Sequence, residues 1–195
     1  MMKKTISTLA LAVSCTLAPI SAQADDEALR AQAQKVIADT FATMSGNLMR
    51  AMAEGGPAKA IPFCHENVKG LAAELQKKHG VRIQRVSHKP RNPANQASPQ
   101  ELKRIETMQE ALSAGKPPQA ELTKEEDGRR IYYAPIVIPA ETCLKCHGDP
   151  TNVIAPADLK LIQQLYPEDQ ATGFHLGDLR GLWKITFEAP TPGKS

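Results

Sequence analysis

Ile131-Tyr-Tyr-Ala-Pro-Ile-Val-Ile138 runs through Pro139 to Thr142 into Cys143-Leu-Lys-Cys-His147-Gly148. The first part is rich in β-branched and aromatic residues and reads as a strand. Pro135 inside it marks either an edge strand or a bulge. The second part sets two cysteines three positions apart with histidine directly after, on what reads as a loop. A strand that leads into such a motif, with helices segregated from strands on either side of it, places the chain in the α+β class.

Upstream, Glu125 to Gly128 reads as the turn that pairs a strand over Arg129–Ile138 with one over Ala120–Thr123. Before it, Ser98-Pro99-Gln100-Glu101 has the capping-box pattern with proline at the first helical position, so a helix is expected from there to about Ala114. Val81 to Ser87 reads as a short strand that is not cleanly one-sided, followed by a Pro- and Asn-rich loop from His88 to Ala97.

Two helices come first. Asp25 to Glu54 carries Leu29, Ala33, Val36, Ile37, Phe41, Met44, Leu48 and Met52 at spacings of three and four, which makes a long amphipathic helix. Ala58 to His79 repeats Ile61, Cys64, Val68, Leu71 and Leu75 in the same way, so Cys64 falls on the buried face and Gly80 is the stop. Downstream of the motif, Pro156–Tyr166 reads as a short helix, Gly173–Gly181 as a loop and Leu182–Glu188 as a last strand. The expected architecture is a small antiparallel sheet flanked by helices and preceded by a long N-terminal amphipathic helix.

Residues 1–24 have the grammar of a cleaved export signal: Lys3 and Lys4, an apolar run from Ile6 to Leu17, and Ala22-Gln23-Ala24 before Asp25. The run is too short for a membrane span, which needs about 18 or more apolar residues. A periplasmic location, with cleavage after Ala24, follows as the expectation. Residues 25–188 then form one domain and 189–195 a disordered tail. The formal charge of +3 includes the two lysines of the leader, and no run of like charges points to nucleic acid.

Beyond the leader the cysteines are Cys64, Cys143 and Cys146. The Cys-x-x-Cys-His spacing is the attachment signature of a c-type haem: both thiols add to porphyrin vinyl groups and the imidazole becomes an iron ligand. Half of a zinc site, a thiol-exchange pair and a structural disulfide are its rivals. If the haem reading holds, Cys64 is the odd thiol. On helical grammar alone a buried lone cysteine is as readily inert packing as a ligand.

An ordered set of motifs resembles the Tll0287-like family of exported haem c domains with a PAS-like fold. The set is Ala60-Ile61 with Cys64; Arg85-x-Ser87-x-Lys89-x-Arg91-Asn92-Pro93-x-Asn95; Tyr132-Tyr133-x-Pro135-Ile136; and Cys143-Leu144-x-Cys146-His147-Gly148. It ends with Tyr166-Pro167-x-Asp169-x-Ala171-x-Gly173 and Gly177-Asp178-Leu179-Arg180-Gly181. The resemblance implies a PAS-like antiparallel sheet and one covalent haem c per chain, its iron held by His147 and Cys64. Arg85 and Arg91 suit the haem propionates, because a guanidinium fork matches a carboxylate. His65 is the rival sixth ligand, and His88 and His175 are weaker candidates.

A thiolate opposite imidazole donates charge to the iron, so the resemblance implies a low-potential haem whose Cys64 leaves on reduction and opens a position for a diatomic gas. The expected role is a non-enzymatic redox module for electron transfer or for redox or gas sensing, acting with a redox or signalling protein. Two other classes compete. One is a small haem peroxidase or reductase, with His65 or His88 as the acid–base group. The other is a haem-free zinc or thiol-redox module built on Cys143, Cys146 and His147.

Overall fold

The computed structural model describes residues 20–189; the expected leader up to position 19 and the tail from position 190 lie outside them. Helix α1 spans Ile20–Gly55 and α2 Pro57–His79; strand β1 is Arg82–Val86, a single 3-10 turn is Pro93–Asn95 and α3 is Pro99–Ser113. Strands β2 (Glu121–Lys124) and β3 (Arg130–Val137) precede α4 (Glu141–His147), α5 (Pro156–Leu165) and β4 (Leu179–Phe187). The sheet is antiparallel throughout, in the order β1-β4-β3-β2. This is the α+β, PAS-like arrangement that the sequence implies, and its long leading helix starts earlier than expected, at Ile20.

The sheet is covered on both faces. On one side Ala33, Val36 and Leu75 of the α1–α2 hairpin pack on Ile83, Tyr132, Trp183, Ile185 and Phe187. On the other, Ile105 and Met108 of α3 pack on Val86, Ile131, Tyr133 and Leu182. Two-sided burial explains why β1 lacks clean alternation: Ile83 faces the hairpin and Val86 faces α3. A third cluster joins Ile61 of α2 to Ile154 and Ile162, with Cys146 packed against it. It fastens α4 and α5 to the hairpin.

Helix α1, with 36 residues, is about 54 Å long and outreaches the sheet. Phe41 and Met49 accordingly remain 53% and 51% exposed, although Phe41 shares the apolar spacing. Pro135 lies beyond the end of β2, where β3 has only β4 as a neighbour, and the register slips one residue later between Ile136 and Val137. Both readings of that proline therefore apply. Strand β4 begins at Leu179, ahead of the expected Leu182, because Gly181 is a strand residue. With φ of 153° and an added Cβ only 2.4 Å from the Val86 carbonyl oxygen, position 181 admits only glycine.

Candidate functional site

The Cys-x-x-Cys-His stretch is a short helix and not the expected loop. Helical spacing sets Cys143, Cys146 and His147 at i, i+3 and i+4, so they share one face of α4. The helix follows β3 directly and ends at Gly148, whose N–H donates to the Leu144 carbonyl at 2.8 Å. An added Cβ at 148 would stand 2.6 Å from that oxygen and 2.7 Å from Val153 Cγ1, so the close approach needs glycine. None of the three cysteines is in a disulfide.

His147 is held from several sides by the segment 169–174. Its Nδ1–H donates to the Ala171 carbonyl at 2.7 Å, while its own carbonyl accepts the Phe174 N–H at 2.9 Å. The Phe174 ring meets the imidazole edge-on, with centroids 6.4 Å apart. Because a carbonyl can only accept, the proton is on Nδ1 and the Nε2 lone pair is the free donor. Burial, then the nearby Arg91 and Arg180 charges, push the imidazole well below the ordinary histidine range, so it is neutral at pH 7.

Arg91 braces this segment. Its guanidinium donates to both carboxylate oxygens of Asp169 at 3.1 Å, to the Cys146 carbonyl at 2.6 Å and to the Ala171 carbonyl at 3.4 Å. The pair is largely enclosed, Arg91 being 16% and Asp169 6% exposed. Arg180 donates to Ser87 Oγ at 2.7 Å and to the Lys89 carbonyl at 2.9 Å, and stacks on Phe174 with 5.1 Å to the centroid. Its Nε is buried without a partner. Burial, with Arg91 and Arg85 as neighbours, lowers it to about 10, so it stays charged.

Cys64, half-buried on α2, lies near Cys146, Arg85 and Arg91. Burial pushes its thiol up, against the pull of the Arg85 and Arg91 charges. Cys146 is pushed up to about 11, by burial first and in part by the proximity of Cys64. Arg85 comes off β1 on the face turned to the α1–α2 hairpin, since it alternates with Ile83. It is reached by solvent, and the protein atoms around it lower its basicity. Its backbone pairs with β4, but no side-chain hydrogen bond or ion pair ties it to another described residue.

The fold thus brings together Cys64, Cys146, His147, Arg85 and Arg91 from α2, β1, the following loop and α4. Of the other candidate histidines, His88 comes nearest, sharing the Phe174 ring with His147, and none bonds to the site residues. His65 is exposed and stacks on Tyr166 at 5.0 Å, His175 is exposed beside Asp178, and His88 meets Phe174 at 6.1 Å with its Nε2 3.4 Å from Gln109. Sequence reasoning assigned no role to Asp169, Ala171, Phe174 or Arg180. Three of these stand in the quoted motifs, which was the available signal; Phe174 had none. Among the described residues no three of His, Cys, Asp or Glu converge as metal ligands.

No curated protein matches the chain. Among solved structures, the crystal structure of the cyanobacterial heme-protein Tll0287 is similar in fold, with a TM-score of 0.57 and 24% identity. The match covers 77% of this chain and 91% of that one. A model of the Tll0287-like family matches residues 19–188, nearly the whole sequence, and the chain belongs to that family.

Proposed function

We propose that this chain is an exported, redox-active haem c protein that exchanges single electrons. In this reading Cys143 and Cys146 would carry the haem as thioethers, and His147 and Cys64 would hold its iron. The observation that carries it is a neutral imidazole, its Nδ1–H committed to the Ala171 carbonyl, on one helical face with Cys143 and Cys146 and with Cys64 close to Cys146. A metal-binding histidine generally gives its second N–H to a carbonyl or carboxylate in this way. The heme-protein character of the solved neighbour, and membership of its family, support the same assignment.

The charges of the cleft also fit the group. Arg85, Arg91 and Arg180 act on one another there, and Asp169 is the carboxylate that answers them. The excess of two positive charges suits a ligand with two carboxylates, as haem has. With Arg91 taken up by Asp169, Arg85 and Arg180 are the side chains with unused donors, and the propionates are assigned to them. Arg91 holds the protein around the ligand.

When bound, the haem iron supplies the one-electron couple and, where an axial position opens, a site for a diatomic gas. The chain's own part is to hold Nε2 of His147 as a donor, to hold or release the Cys64 proton, and to exclude water with the Ile61, Ile154 and Ile162 cluster. Against the zinc reading, no three candidate ligands converge among the described residues. For the peroxidase reading, neither His65 nor His88 is hydrogen-bonded to a carboxylate that would orient it as a base.

The test is a reduced pyridine haemochrome spectrum of the full chain, made in an exporting host that matures c-type cytochromes. The expected result is one c-type haem per chain, still attached after acidic organic extraction. Protein that emerges from that host without haem overturns the proposal.

A further inference from the structure

The segment 169–174 meets His147 through its ring, through its carbonyl, and through the Gly173 N–H on the Gly148 carbonyl at 2.8 Å. What fixes that segment is not its own secondary structure, since it has none. It is fixed by its own Asp169, by Arg91 from elsewhere in the sequence and by backbone bonds, among them the Gln170 N–H on the Pro90 carbonyl at 3.0 Å. Asp169 Oδ1 accepts the Ala171 N–H at 2.8 Å and the Arg91 Nε–H at 3.1 Å, and Oδ2 accepts from Arg91 Nη2. The same Nη2 reaches the Cys146 carbonyl on α4 and the Ala171 carbonyl. The Ala171 peptide is therefore held at both ends: its N–H by Asp169, its oxygen between His147 and Arg91.

We infer that Asp169 and Arg91 together form a positioning device for the His147 imidazole, which sets both its orientation and its strength as a donor. This rests on the haem reading above and goes beyond it by assigning the control of the ligand to a pair that makes no hydrogen bond to the imidazole itself. The physical reason is the sharing of one acceptor. A carbonyl that takes the imidazole proton strongly makes the ring a better donor and lowers the potential. Arg91 draws on the same oxygen and places a positive charge beside the ring, which weakens that effect. Asp169 cancels the charge while holding the peptide in place.

Asp169 and Arg91 separate in their expected effects. Asp169→Asn keeps an acceptor for the Ala171 N–H but leaves the Arg91 charge without its counter-charge, which favours the reduced state. The expected change is at least tenfold in the reduction equilibrium, an upward shift of about 59 mV for one electron. Asp169→Glu restores the charge and most of the effect. Arg91→Lys keeps the positive charge but loses the two-pronged grip, so the potential moves less while the low-temperature paramagnetic resonance of the ferric protein broadens from a spread of ring orientations.

The experiment is a spectroelectrochemical titration of the haem-loaded full chain and these three variants, with thermal unfolding as the check on folding. If Asp169→Asn does not fold, Arg91→Lys carries the test through its resonance spectrum. Unchanged potential and resonance in the folded variants overturn the inference. The haemochrome assay on wild type detects failure of the haem reading separately, before any variant is compared. In that event the 15N spectrum of His147 decides. An Nδ1–H tautomer in wild type that becomes a mixture in Asp169→Asn upholds the positioning role, and an identical tautomer in both refutes it.

Discussion

At Cys64 two opposing effects meet. Burial favours the neutral thiol, and the Arg85 and Arg91 charges favour the thiolate, with burial prevailing. A thiol raised above its ordinary 9.0 keeps its proton at neutral pH, so under the proposed haem ligation it would have to release that proton to bind ferric iron. Ligation is therefore expected to weaken as pH falls, about tenfold per unit while the free thiol is protonated. Arg85→Gln removes one of the charges that lower the thiol, so the pH at which the sulfur leaves should move upward, as followed by the visible spectrum. Cys64→Ala should change the ferric spectrum and raise the midpoint potential by about 59 mV or more, the tenfold equivalent for one electron. A Cys64→Ala protein with the wild-type spectrum and potential would show that the sulfur does not ligate.

At the scale of elements, the parts governed by local chemistry were legible. The capping box at Ser98 is present in both directions: Ser98 Oγ accepts the Glu101 N–H at 3.3 Å, and Glu101 Oε2 accepts the Ser98 N–H at 2.8 Å. Gly80 closes α2 in the left-handed region at φ 66°, as the glycine stop implies. Ser98→Ala should cost about 1 kcal/mol and lower the melting temperature by about 2–4 °C, measurable by circular dichroism. What local grammar missed depends on distant partners. Gly181 reads as a loop residue until the Val86 backbone lies against it, and α4 reads as a loop because seven residues carry too little periodicity to declare a helix. The site divides in the same way. Cys143, Cys146 and His147 are one contiguous motif, whereas Arg91 and Asp169 stand 78 positions apart and no spacing rule links them. The family resemblance marked both residues without showing that they bind each other.

Across the whole molecule the sheet separates two kinds of polar chemistry. Cys64 and Arg85 reach the site from the hairpin side of the sheet, while Glu101, 4% exposed, ties three elements together on the α3 side. It caps α3, accepts from Lys184 of β4 at 2.8 Å and lies 3.4 Å from the Tyr133 hydroxyl of β3. Burial alone would raise its pKa, but the bonds from Lys184 and the Ser98 N–H outweigh that and hold it below 4.5. A carboxyl depressed in the folded state contributes stability above its unfolded value of 4.5, and that contribution is lost as pH falls through the lower folded value. Glu101→Gln keeps an oxygen for the cap but removes the charge facing Lys184, so it should cost about 1.5–3 kcal/mol at pH 7, the range for a hydrogen bond to a charged group. Its deficit should shrink toward zero as pH falls below 4.5, making the variant's acid-side stability profile flatter than wild type in urea unfolding. Because Glu101 bonds to Ser98, Lys184 and Tyr133 and to none of the residues that hold His147, the haem spectrum of the folded variant should match wild type. A pH-independent deficit would place the Glu101 contribution in packing, and an altered haem spectrum would show that the two faces of the sheet are coupled.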